Sequence, residues 1–133
     1  MVKGKLKMKK LLAMLLLCAF IFANAQDKRP SDGKAKVTFI ELGSVNCIPC
    51  KQMQPVMKAI EKKYNEQVKV IFYDVWTQEQ KKYASQYKIK LIPTQIFLDE
   101  KGKEFFRHEG FYPEKEIDKL IESRGVKPSI NKN

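Results

Sequence analysis

The chain of 133 residues is poor in the side chains that most often announce a function. It carries one histidine, one tryptophan and three cysteines. A single imidazole, His108, leaves a four-ligand zinc site short of donors even beside a close cysteine pair. Three cysteines do not make the disulfide framework of a small stapled fold. No internal repeat is present. Acidic side chains are also scarce: 26 Lys and Arg stand against 15 Asp and Glu, a net charge of +11. That excess does not mark a nucleic-acid partner. Five of the lysines fall in residues 1–25, which contain no acid, and the remainder has 21 basic and 15 acidic side chains, a balance of +6. There the two signs are interspersed, as on a solvated surface, and no nucleic acid is expected as a partner. The length suits one domain.

The lopsided first 25 residues read as a secretory signal peptide. Lys3, Lys5, Lys7, Lys9 and Lys10 form a positive start, and residues 11–23 form an apolar stretch too short to span a bilayer comfortably. Ala23-Asn24-Ala25 is a small-x-small cleavage site, which predicts a mature start at Gln26 and export to the periplasm or the medium. An uncleaved anchor is the alternative. Cys18 lies within the apolar stretch behind bulky Leu17, where a lipid-modified cysteine would follow a small residue. Cleavage leaves Cys47 and Cys50 as the only cysteines. Residues 26–36 are polar, with Pro30, Ser31 and Gly33, and read as a flexible lead-in.

From there the apolar pattern alternates between strand and helix. Residues 37–42 read as a buried strand, with Val37, Phe39 and Glu41 on one face and Thr38, Ile40 and Leu42 on the other. A helix is predicted from Cys47 to about Asn65, with Met53, Val56, Met57, Ile60 and Tyr64 inward and a kink at Pro55. Residues 68–76 form a second strand. Thr77-Gln78-Glu79-Gln80 matches a capping box and predicts a helix carrying Tyr83, Ala84 and Tyr87. Residues 94–98 form a third strand, which Asp99-Glu100-Lys101-Gly102 turns into a hairpin with residues 104–109. Pro113 opens a last helix with Ile117, Leu120 and Ile121 inward and Gly125 just past its end. The order β-α-β-α-β-β-α implies an α/β domain over residues 37–126, a mixed sheet with helices on both faces, and a tail over 127–133.

The chemistry concentrates in Cys47-Ile48-Pro49-Cys50. A Cys-x-x-Cys pair between a strand and a helix marks a dithiol/disulfide site. Two intervening residues in a first helical turn let the sulfurs reach bonding distance, and the turn's unpaired N–H groups and the helix dipole stabilise a thiolate at the first. The thiolate is the form that attacks a disulfide. Cys47, nearer the helix start, is the expected nucleophile, and Cys50 the residue that resolves the mixed disulfide. A static disulfide is the bland alternative, though so short a loop gains little from one.

Cys47-Ile48-Pro49-Cys50-Lys51, Pro55, Ile92-Pro93-Thr94, Gly102 and Gly110, in this order and spacing, resemble the thioredoxin superfamily over nearly all of the domain. The resemblance implies the thioredoxin fold, a cis peptide before Pro93, and Ile92, Pro93 and Thr94 facing the cysteine pair as a substrate-binding segment. It also implies a proton relay at Glu41, where thioredoxins usually place a buried aspartate. A partly solvated carboxylate at the sheet end is the alternative for Glu41. Asn46 stands where thioredoxins commonly carry Trp, and Ile48-Pro49 where they carry Gly-Pro. Trp76, at the end of the second strand, either compensates as an exposed substrate contact or caps the core.

Together these readings describe an exported thiol–disulfide oxidoreductase that reduces protein disulfides, a monomer without a cofactor or a bound metal. No His lies between the cysteines, unlike in strongly oxidising Dsb-type relatives, and Ile92 precedes the proline as in reducing thioredoxins. Export compartments are oxidising, so a reductase there needs an electron donor, expected to be a membrane dithiol protein. A disulfide oxidase or isomerase, a copper-delivery module and a non-catalytic adaptor are the alternatives.

Overall fold

The structure is a computed structural model and describes residues 35–129. The predicted signal peptide with its expected cleavage after Ala25, the lead-in up to residue 34 and residues 130–133 of the tail lie outside them.

The central strand, β1 (Val37–Gly43), is buried at every position. That is why Val-Thr-Phe-Ile-Glu-Leu-Gly reads as a nearly continuous apolar run: both faces are covered. The sheet order is β2-β1-β3-β4, with β2 (Val68–Asp74), β3 (Thr94–Asp99) and β4 (Glu104–Glu109). β1 runs parallel to β2 and antiparallel to β3, which pairs antiparallel with β4. The mixed α/β sheet is thus the one expected.

One face of the sheet, led by Val37, Phe39 and Phe97, packs on α1 (Ile48–Tyr64) and α3 (Glu114–Ser123). Phe39 and Phe97 are cross-strand partners whose rings stack at 4.8 Å. Met53, Val56, Met57, Ile60 and Tyr64 of α1 are all buried, and each such side chain taken from water contributes about 1.5–3 kcal/mol. The other face carries Ile40, Leu42, Ile96 and Leu98 beneath Val75 and Tyr87. Its cover, α2 (Lys82–Gln86), is only five residues long and holds Tyr83 stacked on Tyr73.

α1 includes Pro55, whose side chain is exposed. Two local outcomes differ from the sequence pattern. β2 ends at Asp74 rather than Trp76. The predicted second helix begins at Lys82, not at Thr77. Half of the capping box forms, since Gln80 N–H donates to Thr77 Oγ1 at 3.3 Å. The other half is diverted: the Gln80 side chain accepts from Asp74 N–H at 2.7 Å, and both Thr77 N–H and its hydroxyl donate to the Asp74 carbonyl. The capping residues therefore close a turn around Asp74 instead of opening a helix.

At the opposite end of the sheet, Lys63 and Tyr64 tie α1 to α3 through Asp118, at 2.6 and 2.9 Å. Residues 127–129 run back over this corner, where Ser129 N–H donates to the Lys63 carbonyl at 2.8 Å.

Candidate active site

β1 delivers the chain to the site. Beyond Gly43, Ser44 to Asn46 make a tight turn in which Asn46 N–H donates to Ser44 Oγ and Cys47 N–H to the Ser44 carbonyl. Cys47 is the N-cap of α1 in extended conformation, and its carbonyl accepts from Lys51 N–H at 3.0 Å. Pro49 sits in the first turn, where its missing N–H costs nothing. Cys47 and Cys50 are joined as a disulfide with Cα atoms 5.2 Å apart. In this oxidised form the Cys47 sulfur makes no capping hydrogen bond. Cys47 keeps 8% of its surface exposed and Cys50 none, so Cys47 is the less buried of the pair.

Cys50 rests on Gly43. A Cβ placed there would stand 3.2 Å from both Cβ and Sγ of Cys50 and 3.4 Å from the Phe72 ring. A side chain at position 43 would require Cys50 to give by a few tenths of an ångström. Glu41 lies two residues earlier on the same face of β1 and is wholly buried; the partly solvated alternative is thereby corrected. Burial pushes its carboxyl up to about 8. The amide of Gln95, its register partner on β3, works against this, yet no hydrogen bond of ordinary length and angle joins the two.

The Ile92–Pro93 peptide is cis. Thr94 pairs with Leu42, so Pro93, one step further, stands across from Gly43 and beside the cysteine pair. Thr94 is buried and its hydroxyl donates to the Leu91 carbonyl at 2.7 Å. Gly110 N–H donates to the Pro93 carbonyl at 2.8 Å and fixes the loop after β4 against it. Trp76 is 62% exposed and does not cap the core.

Two groups of residues escaped the sequence. Asp74 joins the loops on either side of the site: its carboxylate accepts from Val45 N–H at 3.2 Å and from Trp76 N–H at 3.1 Å. A lone acid closing an apolar strand was the available signal. Its register partner Gly43 was needed to place it at the site. The second group is an apolar rim of Val45, Ile48, Leu91 and Phe111, which with Trp76 are the exposed large hydrophobic side chains among the described residues. Each flanks a residue that builds the site. Three lie in loops and Ile48 opens α1, so they form no periodic pattern. His108, on β4, stacks on Tyr112 at 4.3 Å. Among the described residues, no group of three or more His, Cys, Asp or Glu side chains is placed to hold a metal ion, and no helix is long and apolar enough to cross a membrane.

A disulfide across the first turn of a helix, behind a cis-proline loop on a mixed sheet, defines the class of thioredoxin-fold thiol–disulfide oxidoreductases. Comparison with known proteins places the chain within it. The profile of the thioredoxin-like domain matches residues 22–125, and the chain belongs to that family. It is 46% identical over 54 residues to Thioredoxin 1 of Synechococcus elongatus, a match spanning 40% of this chain and 49%, about half, of that protein. It is 32% identical over 82 residues to the SPbeta prophage-derived thioredoxin-like protein YosR of Bacillus subtilis, across 62% of this chain and 91% of that one. Among solved structures, the thioredoxin NaTrxh from Nicotiana alata superposes with a TM-score of 0.57 at 30% identity, over 67% of this chain and 73% of that one. A mutant thioredoxin from Halobacterium salinarum shares the fold with a TM-score of 0.61 at 23% identity, over 71% and 79% of the two chains.

Proposed function

We propose that the chain is an exported reductase of protein disulfides. The observation that carries this reading is the Cys47–Cys50 disulfide at the mouth of α1, with Cys47 the less buried of the pair and exposed Val45, Ile48, Leu91, Phe111 and Trp76 on the segments that build the site. Reduced Cys47 attacks a substrate disulfide as the thiolate. Cys50 then attacks Cys47, which releases the substrate as a dithiol and regenerates the internal disulfide. Glu41 takes the Cys50 proton in that second step. The Ile92–Pro93 loop forms one wall of the substrate groove, with Thr94 buried beneath it rather than open to substrate, and Trp76 the other. Exposed apolar side chains on the segments around the disulfide suit an unfolded or extended protein segment.

Export rests on the lysine-rich leader and Ala23-Asn24-Ala25. In an oxidising compartment the chain works as a monomer recharged by a membrane dithiol donor. The reducing direction follows from the surroundings of Cys47. Ile48 is apolar, Pro49 has no N–H and Asn46 is neutral, while Lys51, one turn on, is exposed to solvent, where its charge is screened. A potential near the roughly −270 mV of a reductant is expected, not the roughly −120 mV of a strong oxidant, a gap of about 7 kcal/mol for two electrons. Equilibration against dithiothreitol or glutathione buffers, read by Trp76 fluorescence or thiol trapping, measures it. A value above about −180 mV replaces the reductase by an oxidase or isomerase.

A further inference from the structure

Glu41 does not stand alone in the core. Directly opposite it in the β1–β3 register is Gln95, and both side chains are wholly buried. Opposed residues in an antiparallel pair hold their Cβ atoms about 4.5–5.5 Å apart on one face of the sheet. Neither carboxylate oxygen of Glu41 and neither polar atom of the Gln95 amide has a hydrogen-bond partner. Gln95 sits in a strand whose first five residues are all buried, where an apolar side chain would fill the space at lower cost. Its amide offers two N–H donors to a group that can only accept once ionised.

The pair also lies next to the reacting sulfur. Gly43 is two residues from Glu41 along the same face, about 6.6 Å, and Cys50 packs directly on Gly43. The other neighbours are few. β2 contributes Phe72 opposite Glu41 and, at the strand end, Asp74, whose carboxylate is engaged by Val45 and Trp76. β4 places His108 opposite Gln95, with its ring on Tyr112. The buried face of α1 carries Cys50 and no charged side chain.

We infer that Gln95 is a positioning residue for Glu41: its buried amide donates to the ionised carboxylate and holds it in the form that takes the Cys50 proton. The assignment rests on the proton-relay reading of Glu41. In the step concerned, the Cys50 thiol gives its proton to Glu41 and the thiolate attacks Sγ of Cys47 in the mixed disulfide. The Cys47–Cys50 bond forms as the Cys47–substrate bond breaks. The electron pair leaves on the substrate sulfur, which is protonated from solvent.

The test isolates that step. Reduced protein is converted to its Cys47 mixed disulfide with 5-thio-2-nitrobenzoate, and release of the coloured thiolate by Cys50 is followed across pH. Gln95→Met keeps the length of the side chain and removes its donors. It is expected to move the Glu41-dependent limb of the profile up by about one pH unit, a roughly tenfold slower release below the limb. In a Glu41→Gln background, which lacks the limb, Gln95→Met is expected to change nothing further. An unmoved limb in Gln95→Met, with the limb still lost in Glu41→Gln, overturns the role of Gln95 and leaves the relay standing. An equal slowing of release by Gln95→Met in both backgrounds also overturns it, since Gln95 would then act elsewhere. A wild-type limb in Glu41→Gln removes the relay and this assignment with it. Loss of the limb in His108→Gln assigns it to the imidazole and overturns the proposal. Should Gln95→Met not fold, Gln95→Leu and the carboxyl stretching band of Glu41, titrated by infrared spectroscopy, read the same shift.

Discussion

Replacing Glu41 by glutamine is expected to stabilise the oxidised protein, increasingly so as pH rises. The Glu41 carboxyl titrates near 8 in the folded chain, against 4.5 for an ordinary glutamate, because burial penalises the anion. Between those two values the folded protein keeps a proton that the unfolded chain has released. The stabilisation this group allows is complete below the unfolded value and is lost as pH rises through the folded one. Linkage gives a slope of about 1.4 kcal/mol per pH unit and a total near 5 kcal/mol. About 2.5 kcal/mol of that falls between pH 5 and 7. The amide introduced by Glu41→Gln does not ionise, so the gap between variant and wild type grows by this amount over that interval. The disulfide is intact in both proteins and His108 is common to both, which leaves Glu41 as the difference. Urea unfolding of the two oxidised proteins at pH 5, 7 and 9 measures it. With slopes of about 1–3 kcal/mol per molar urea, the midpoints should separate by a further 1–2 M, in round terms, from pH 5 to 7. Midpoints that run parallel across this range would refute the raised carboxyl. The same substitution is expected to slow disulfide reduction by up to about 10²-fold.

Other expectations follow from the same geometry. Cys47→Ser should abolish disulfide reduction, whereas Cys50→Ser should accumulate mixed disulfides through Cys47; faster labelling of Cys50 than of Cys47 at limiting thiol reagent would reverse the two roles. Gly43→Ala brings a methyl group to 3.2 Å from Cys50 Sγ and should cost about 1–3 kcal/mol by overpacking, seen as a lower unfolding midpoint of the oxidised form. An unchanged midpoint would mean that Cys50 is free to move aside. Intact mass of the protein recovered from the cell envelope or medium should begin at Gln26; retention of residues 1–25, or an acyl chain on Cys18, would contradict the leader.

The legible parts of this chain were those written in local pattern. The inward face of α1 follows helical spacing from Met53 to Tyr64, and the central strand shows itself by an unbroken apolar run. The cysteine pair and the proline loop carry their spacing openly, and Glu41 stood out as an acid on an apolar face. What stayed hidden depends on pairing between distant segments. Asp74 looks like a strand end until β2 is set beside Gly43, and Gln95 looks like an ordinary polar residue until β3 is run antiparallel to β1. The misplaced start of α2 has the same cause. Thr77 and Gln80 have the chemistry of a cap, but Asp74 takes their hydrogen bonds. The apolar rim is assembled from loops and the first residue of α1, where neither helical nor strand periodicity applies.

Asp74 also bears on how the rim meets its substrates. One carboxylate fastens the loop bearing Val45 to the loop bearing Trp76, so two walls of the groove are already ordered before anything binds. The backbone of both loops is thereby held before a partner docks, which leaves less loop ordering to be supplied on binding. Under the proposed function, apolar contacts, which have little directional demand, would leave selection to the disulfide rather than to the chain that carries it.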